Sequence, residues 1–273
     1  MKFTLLMSVY IKEKSEYLNR ALESIYGNTL LPNELVLVED GPLSEELYEV
    51  IEKYSLKYKN IKRVRLEKNM GLGKALDIGL KHCGNNLVIR MDSDDICHGE
   101  RFYKQVKFLK ENPHIKILGC NLGEFKGDFN RIDRVKKYPE NIENIDGFAR
   151  KRCPFPHPGV AFYRDIVEEV GGYRDLFYFE DYYLFLRILK KYRGYNIQEN
   201  LLYFRSDENL YKRRGGVFYV FCEYRAFKRF YKEGLIGLRD FLGNMGIRLG
   251  VRLMGNRFRQ FVYERFLRCG EGK

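Results

Sequence analysis

The sequence predicts an α/β fold in which helices cover both faces of a mostly parallel central sheet. Strand-like and helix-like segments alternate along about the first 100 residues, as they do in parallel sheets with helical crossovers. Hydrophobic residues make up 45% of the 273-residue chain, which is enough for a sizeable core. The length suits one α/β domain with an appendage, or two small domains.

Local signals place the first four strands and the helices between them. We predict strands at residues 3–10, 34–39, 61–66 and 86–91. Ser15 is expected to cap the first helix, which ends at Gly27, and Ser44 is expected to cap the second. The inward positions of these two helices are Leu18, Ala21, Leu22, Ile25, Leu47, Val50, Ile51 and Tyr54.

The third connection is glycine-rich. Residues 69–74 form a predicted loop before a short third helix, and the loop contains Gly71 and Gly73. These glycines lack the spacing of a P-loop, so a strand-to-helix connection is favoured over a phosphate cradle.

Polar residues follow the carboxyl ends of three predicted strands. Ser8 and Tyr10 close the first strand, Asp40 closes the second, and Asp92 follows the fourth. Ligands of open α/β sheets bind beyond these ends, so we expect the three loops to meet at one crevice. A nucleotide would fit there, with Tyr10 stacked on the base and Asp40 accepting its hydrogen bonds. Taken alone, the Asp40 loop is more simply explained as an ordinary Asp-Gly-Pro turn.

The segment 90–95 crowds three carboxylates, Asp92, Asp94 and Asp95, within four residues. Carboxylates this close repel one another unless their pKa rises or a cation binds. Such hard oxygen ligands suit Mg²⁺ or Mn²⁺ that completes its shell with water and nucleotide phosphates. A solvated acidic loop is the alternative for the pattern by itself.

Export and cysteine signals point to the cytoplasm. No stretch approaches the roughly 18 to 20 apolar residues that cross a bilayer, and the N-terminal apolar segment reaches Lys12 too soon for a signal peptide. The six cysteines are scattered without a Cys-x-x-Cys pair, so we expect reduced thiols and neither a zinc site nor a disulfide framework.

Positive charge is concentrated in the C-terminal part of the chain. From Arg205 onward 16 Lys and Arg stand against 7 Asp and Glu, which accounts for nine of the twelve net positive charges. Apolar residues recur there at helical spacing, which predicts an amphipathic surface helix with a cationic face. Docking of the same apolar residues on the main domain is an equal alternative, and both can hold. The apolar positions are Leu238, Leu242, Met245, Leu249 and Leu253, and the cations between them are Arg239, Arg248 and Arg252.

The chain resembles the family-2 glycosyltransferases over about three quarters of its length, from Phe3 to about Arg205. The shared motifs occur in family order: Met-Ser-Val-Tyr (7–10), Val-Glu-Asp-Gly-Pro (38–42), Asn-Met-Gly (69–71), Asp-Ser-Asp-Asp (92–95), His-Pro-Gly-Val (157–160), Gly-Gly-Tyr-Arg (171–174) and Glu-Asp (180–181). The resemblance implies the nucleotide-diphospho-sugar transferase fold called GT-A. With Lys-Glu-Lys at 12–14, the chain looks most like bacterial exopolysaccharide and O-antigen enzymes of the amylovoran-biosynthesis type.

Roles on the donor side follow from this resemblance. It implies that Ser8, Tyr10 and Asp40 hold the nucleotide base. It also implies that Asp92 and Asp94 form the family's Asp-x-Asp motif, with Asp94 the direct ligand of Mn²⁺ or Mg²⁺ and Asp92 nearer the ribose. Asp95 is adjacent to the motif. Further candidates for contact with the nucleotide sugar are Lys74 and Ser93.

The resemblance places the general base in the Glu180-Asp181 pair. We assign the role to Asp181, with Glu180 as the fallback. A carboxylate there would take the proton of an acceptor hydroxyl, and attack opposite the leaving group would invert the anomeric configuration. Without the resemblance, the two acids are explained as residues that complement a helix N-terminus.

Weaker candidates surround the acceptor side. His157 lies in a proline-stiffened loop and is either structural or presented to the acceptor or diphosphate. The guanidinium groups of Arg205, Arg213 and Arg214 suit phosphate oxygens, although a solvated basic loop explains them equally well. The aromatic run 177–179 would stack on an acceptor sugar or belong to the core.

Together these features predict a metal-dependent inverting glycosyltransferase that uses a nucleotide-diphospho-sugar, foremost a UDP-sugar. The expected acceptor is a lipid-diphosphate-linked saccharide, at the inner face of the cytoplasmic membrane. The predicted domains are 1–205, divided into a nucleotide-binding half (1–100) and an acceptor half (101–205), and a basic helical region, 206–273. Oligomeric state is left open.

Two other functional classes fit the sequence less well. A sugar nucleotidyltransferase should carry a glycine-rich basic loop after its first strand, where this chain has Ile-Lys-Glu-Lys at 11–14. A non-catalytic protein that binds nucleic acid or membrane would explain the charge, but no nucleic-acid-binding motif is present, so no nucleic-acid partner is expected.

Overall fold

A computed structural model describes residues 1–206 and 216–253 of the chain. Within these ranges nine strands form one mixed, mostly parallel sheet in the order β3-β2-β1-β4-β8-β6-β9-β5, with β7 paired to β6. The strands are β1 (Phe3–Val9), β2 (Glu34–Glu39), β3 (Ile61–Arg65), β4 (Leu87–Arg90), β5 (Ile96–Cys97), β6 (Ile115–Phe125), β7 (Arg134–Lys136), β8 (Ala161–Tyr163) and β9 (Arg193–Arg205).

Helices cover both faces of this sheet. They are α1 (Ser15–Tyr26), α2 (Glu45–Lys57), α3 (Leu72–Lys81), α4 (Arg101–Glu111), α5 (Ile142–Ala149), α6 (Arg164–Glu169), α7 (Glu180–Leu189), α8 (Val217–Lys232) and α9 (Leu238–Leu253), with a 3-10 turn at His157–Gly159. One apolar core joins α1, α2 and α4 to one face of the sheet, and a second joins α3, α6 and α7 to the other face. The predicted α/β class with a central sheet and two helical layers is therefore confirmed.

The first four strands lie where the apolar segments predicted them. The bounds of β2 match the prediction, and each of the other three strands is shorter by one or two residues. β1 is parallel to both β2 and β4, and β2 is parallel to β3. All predicted inward positions of α1 and α2 are buried except Val50, which is half-buried.

One of the two predicted helix caps is wrong. Ser44 caps α2, because its side chain accepts a hydrogen bond from the Leu47 N–H at 3.4 Å. Ser15 is instead the first residue of α1, and Lys14 is the N-cap in extended conformation. The Lys14 carbonyl oxygen accepts the first hydrogen bonds of the helix, from the Tyr17 N–H at 2.9 Å and the Leu18 N–H at 3.1 Å, so the helix begins one residue earlier than the serine signal suggests.

The third helix also begins earlier than predicted. α3 starts at Leu72, inside the segment predicted as a loop, with Gly71 as its N-cap at φ +84°. Glycine tolerates this left-handed conformation without the steric cost that a side chain would add. The segment is a strand-to-helix connection, as the spacing of its glycines predicted.

The C-terminal helices pack on the sheet domain through α7. Tyr219, Phe227 and Phe230 of α8 join Tyr182 and Tyr183 of α7 in a third apolar cluster. On α9 the predicted apolar stripe divides, since Met245 is buried in this cluster while Leu238 and Leu242 are exposed. The side chains of residues 249–253, which include the predicted stripe positions Leu249 and Leu253, lie outside the described part. None of the described helices combines the length and apolar character needed to cross a bilayer.

Candidate active site

The loops that follow three of the predicted strands lie side by side, at the carboxyl ends of those strands. β2, β1 and β4 are neighbouring parallel strands, so the loops that follow them emerge side by side. Tyr10 is exposed, Ser8 and Asp92 are half-buried, and Asp40 is buried. The structure therefore brings together the residues that the sequence nominated for nucleotide binding.

Asp40 connects two of these loops. Its carboxylate oxygens accept hydrogen bonds from the Met70 N–H at 2.6 Å and the Gly71 N–H at 3.1 Å. The neighbouring Gly41 has φ +88°, and a Cβ there would lie 2.6 Å from the Asn69 backbone nitrogen. Asp40 is thus held by the N-terminal loop of α3, and each of its oxygens keeps acceptor capacity for a further donor.

Asp92, Asp94 and Asp95 form an acidic cluster. One carboxylate oxygen from each lies within 4.8 Å of the other two. Burial, followed by the charges of Asp92 and Glu13, raises the pKa of Asp94 to about 7. Burial and the charges of Asp94 and Asp92 raise the pKa of Asp95 well above its usual range. Asp95 Oδ2 is buried and has no hydrogen-bond partner. Crowded, electrostatically destabilised carboxylate oxygens fit a hard divalent cation.

Two arginines that lie far apart in the sequence support this cluster. Arg90, at the end of β4, is buried and pairs with Asp92. Arg205, at the end of β9, donates its backbone N–H to Asp95 Oδ1 and its Nε–H to the Asp94 carbonyl oxygen, both at 3.0 Å. Its guanidinium carbon lies 3.8 Å from the ring centroid of Tyr17. Arg205 thus holds the acidic loop and is not part of a solvated basic loop.

A further contact ties the acidic loop to the loop after β1. The buried Ser93 hydroxyl donates to Glu13 Oε2 at 2.6 Å. Glu13 was not predicted as a site residue, because its partner lies 80 positions away in the sequence. Lys74 is exposed in the first turn of α3. Arg213 and Arg214 lie outside the described residues.

Glu180 and Asp181 begin α7 on the far side of the crevice. Asp181 Oδ1 accepts a hydrogen bond from the Tyr182 N–H at 2.6 Å. Glu180 packs against α3, since a Cβ at Gly73 would lie 3.1 Å from Glu180 Cγ. The preceding Tyr178 has φ +69°, a strained conformation of the kind that concentrates at functional sites. These contacts place Glu180 and Asp181, the two candidates for the general base, beside the N-terminus of α3. The residues just before this helix also bind Asp40.

Tyr173 lies near acidic residues of both groups, because burial raises its pKa and the charges of Asp181, Glu180 and Asp92 each raise it further. The His157 Nε2 is 3.0 Å from the Tyr173 hydroxyl. Burial, followed by the positive charge of Arg90, lowers the pKa of His157 well below its usual range. Burial therefore favours the neutral imidazole of His157 over the charged form. The aromatic run 177–179 divides, because Phe177 and Tyr178 are exposed and Phe179 is buried.

Glu180 makes folding stability depend on pH. Burial, followed by the charge of Asp181, raises its pKa from 4.5 to about 7. Between these values the unfolded chain releases the proton while the folded protein keeps it. Stability from this group is therefore full below pH 4.5 and falls as the pH rises to about 7, by at most about 3 kcal/mol.

We expect the Glu180→Gln variant to lose this part of the pH dependence. Urea unfolding of the variant and the natural protein at about pH 4.5, 6 and 8 measures the difference. Glu143→Gln, on the exposed side of α5, is the matched control and should follow the natural protein. The same pH dependence in all three proteins would contradict a buried, destabilised Glu180.

Comparison with known proteins identifies the family. The profile of Glycosyl transferase family 2 matches residues 4–171. A UDP-Gal:alpha-D-GlcNAc-diphosphoundecaprenol beta-1,3-galactosyltransferase of Escherichia coli is 41% identical over 270 residues, covering 98% of this chain and 97% of that protein. The amylovoran biosynthesis glycosyltransferase AmsE of Erwinia amylovora is 39% identical over 268 residues, covering 96% and 98%.

Solved structures support the predicted GT-A fold. TarS 1-349 of S. aureus in complex with UDP-GlcNAc has a TM-score of 0.66 and 20% identity, over 83% of this chain and 66% of that chain. At this identity the likeness concerns the fold alone. The family profile and the two relatives span the strands, the acidic cluster and the loops described above, and the chain belongs to glycosyl transferase family 2.

Proposed function

We propose that this glycosyltransferase moves a hexose from a UDP-sugar to a lipid-diphosphate-linked saccharide during assembly of a bacterial surface polysaccharide. The observation that carries the proposal is the arrangement of two acidic groups around one crevice. The cluster of Asp92, Asp94 and Asp95 follows β4, and Glu180 with Asp181 begins α7. Both groups lie near the buried Tyr173 hydroxyl, because burial raises its pKa and the charges of Asp181, Glu180 and Asp92 all raise it further. Family membership favours glycosyl transfer over the nucleotidyltransferase and non-catalytic readings.

On the donor side, the exposed ring of Tyr10 would stack on the base, and Asp40, held by two backbone N–H groups, would accept hydrogen bonds from the base. Asp40 accepts hydrogen bonds from Met70 and Gly71 just before α3, and Glu180 packs on Gly73 in the first turn of α3. The proposed contact for the nucleobase and the Glu180-Asp181 pair therefore adjoin the same helix N-terminus. The proposed donor contacts are Ser8, Tyr10, Asp40, Lys74, Asp92 and Ser93.

Asp94 and Asp92 would hold Mn²⁺ or Mg²⁺, with Asp95 behind them. When bound, the cation stabilises the negative charge that develops on the departing nucleoside diphosphate. The fit rests on oxygen donors that repel one another at neutral pH and on the unpartnered Asp95 Oδ2. Arg90 and Arg205 offset only part of that repulsion, because the pKa of Asp94 remains raised to about 7.

We assign proton removal from the acceptor hydroxyl to Asp181. The acceptor oxygen forms a bond to the anomeric carbon as the bond from that carbon to the diphosphate oxygen breaks, and Asp181 takes the hydroxyl proton. Attack from the face opposite the leaving group inverts the configuration, so an α-linked donor gives a β-glycoside. The Tyr182 N–H fixes one oxygen of Asp181, which orients the carboxylate before the substrate arrives.

The relatives guide the choice of substrates. The name of the Escherichia coli relative specifies UDP-Gal as donor and GlcNAc on diphosphoundecaprenol as acceptor. UDP-galactose and a GlcNAc-diphosphate-lipid are therefore the first pair to test here. A lipid-linked acceptor implies work at the inner surface of the cytoplasmic membrane, and we propose peripheral attachment through the basic region 206–273.

We expect UDP release from UDP-galactose when Mn²⁺ and a GlcNAc-diphosphate-lipid are both present. Chelation by EDTA should reduce the rate by at least about 100-fold, and added Mn²⁺ or Mg²⁺ should restore it. The assay is run against a panel of UDP-, dTDP- and GDP-sugars, with acceptor-free reactions as the control for hydrolysis. Acceptor-dependent UDP release that is unaffected by EDTA would refute the proposed metal requirement. Absence of nucleotide release with every donor would refute the proposed transfer reaction.

A further inference from the structure

Helix α8 presents an unusual surface to solvent. Its outer face comprises Phe218, Phe221, Tyr224, Arg225, Lys228, Tyr231 and Lys232, all of them exposed. Phe218 is 63% exposed and Phe221 is 54% exposed, far more than aromatic side chains on a typical soluble surface. These positions repeat at three- and four-residue spacing, so they form one continuous side of the helix.

The opposite side of α8 fixes the orientation of the helix. Tyr219, Cys222, Ala226, Phe227 and Phe230 are buried against α7 and α9. The Phe230 ring lies 5.0 Å from that of Tyr182, in the first turn of α7. Because the helix already packs one apolar side against the core, the exposed aromatic residues of the outer face do not contribute to core packing.

Within α8 the outer face carries only positive charge. Glu223 is the sole acidic residue of the helix, and it is buried and paired with Arg248. The guanidinium carbon of Arg225 lies 5.7 Å from the Phe221 ring centroid, and the Lys228 ammonium lies 5.4 Å from that of Tyr224. The face therefore alternates aromatic rings with cations.

The aromatic surface continues on both sides of the helix. The Phe218 ring lies 6.0 Å from that of Phe177, three residues before Glu180. At the other end, the rings of Tyr224 and Tyr231 lie 6.3 Å and 5.6 Å from Phe241 of α9. The surface thus extends from the loop of the candidate general base to the last described helix.

We propose that the outer face of α8, together with Phe177, rests on an anionic lipid bilayer at the level of the headgroups. Tyrosine and phenylalanine rings partition into this interfacial layer, and lysine and arginine pair with anionic headgroups. A second copy of the chain fits less well, since a two-fold contact would set Arg225, Lys228 and Lys232 against the same cations. The proposal rests on the proposed lipid-linked acceptor and gives that acceptor a direct route from the bilayer to Asp181.

This surface differs from the one that the sequence pattern nominated. For the leucine stripe of α9, the sequence left a cationic surface helix and docking on the main domain equally open, and Met245 of that stripe is buried. On α9 the exposed residues Leu238, Arg239 and Leu242 extend the surface only at its edge. The aromatic positions of α8, which carry no leucine repeat, form its centre.

The chain contains no tryptophan, so Phe221→Trp provides a single fluorescent reporter. We expect its emission to shift to the blue when vesicles of phosphatidylglycerol and phosphatidylcholine are added, and spin-labelled lipid to quench it. Leu56→Trp on α2, where the natural residue is 65% exposed, is the matched control and should not respond. An unchanged Phe221→Trp spectrum would overturn the proposal.

The same reporter detects other occupants of the face. Emission that is already blue-shifted and shielded from iodide before vesicles are added would show that the chain itself, or a second copy, covers the face. Light scattering then separates these two cases, and either one overturns the proposal.

A second experiment measures affinity. The double variant Phe218→Ser with Phe221→Ser should bind the same vesicles more weakly by roughly tenfold for each ring removed. Leu56→Ser is the control and should bind like the natural protein. Turnover on a short-chain, water-soluble GlcNAc-diphosphate acceptor should be equal in all three proteins. Undiminished vesicle binding by the double variant would overturn the proposal that the outer face of α8 binds the bilayer. Absence of turnover together with normal vesicle binding would overturn only the proposed function.

Discussion

Asp94→Asn is expected to lower turnover by about 1000-fold or more, the largest effect of any single change considered. Asparagine keeps the shape of the side chain but replaces a charged oxygen ligand with a neutral amide. The divalent cation would lose its direct ligand, and charge on the leaving diphosphate would go unstabilised. The measurement is the initial rate of UDP release at saturating Mn²⁺ and UDP-galactose.

The control for this variant is Asp146→Asn, on the exposed side of α5. It makes the same chemical change outside the crevice and should retain full turnover. Loss of activity through unfolding is not expected for Asp94→Asn, because it removes one of three mutually repelling carboxylates. Urea unfolding should therefore show a stability no lower than that of the natural protein. Natural turnover in the variant would refute Asp94 as a metal ligand.

Asp181→Asn should reduce turnover by about 100- to 10,000-fold, the usual contribution of a general base. The amide oxygen of asparagine can still accept the Tyr182 N–H, so the start of α7 should keep its structure. The expected loss is in kcat, with little change in the KM for the donor, because the proton is transferred only in the chemical step.

Glu180→Gln is the matched comparison for this second variant. It removes the adjacent carboxylate, which shares the first turn of α7, and should lose much less activity. The reverse outcome, an active Asp181→Asn and an inactive Glu180→Gln, would transfer the role of base to Glu180. Full activity in both variants would exclude the pair from proton transfer.

Local pattern was sufficient to place the first four strands. β1, β2 and β4 are largely apolar because both faces of the sheet are covered there, and this signal located β2 without error. β3 lies at the end of the strand order and carries three charged residues, and it was located from its turn-bounded position between two helices. Caps and helix starts were less certain, since they depend on contacts made elsewhere. The start of α3 is set by Asp40, which lies 30 positions from Met70, and no reading of residues 69–74 alone reveals that.

The residues that support the acidic cluster also could not be predicted from local sequence pattern. Glu13 reaches Ser93 across 80 positions, and Arg205 reaches Asp95 across 110. Arg90 did leave a signal, because a charged residue that ends an apolar strand must be paired if it is buried. Its partner Asp92 lies two positions away and could have been named from the sequence.

The bond between Arg205 and Asp95 has a consequence for biosynthesis. A ribosome must add 110 residues after Asp95 before the nitrogen that supports it exists. Until β9 has been made and has paired with β6, the acidic loop of the emerging polypeptide lacks the two bonds from Arg205, although Arg90 and Glu13 are already present. The acidic cluster therefore reaches its final arrangement only when the last strand of the sheet is in place, and the proposed cation site is complete only then.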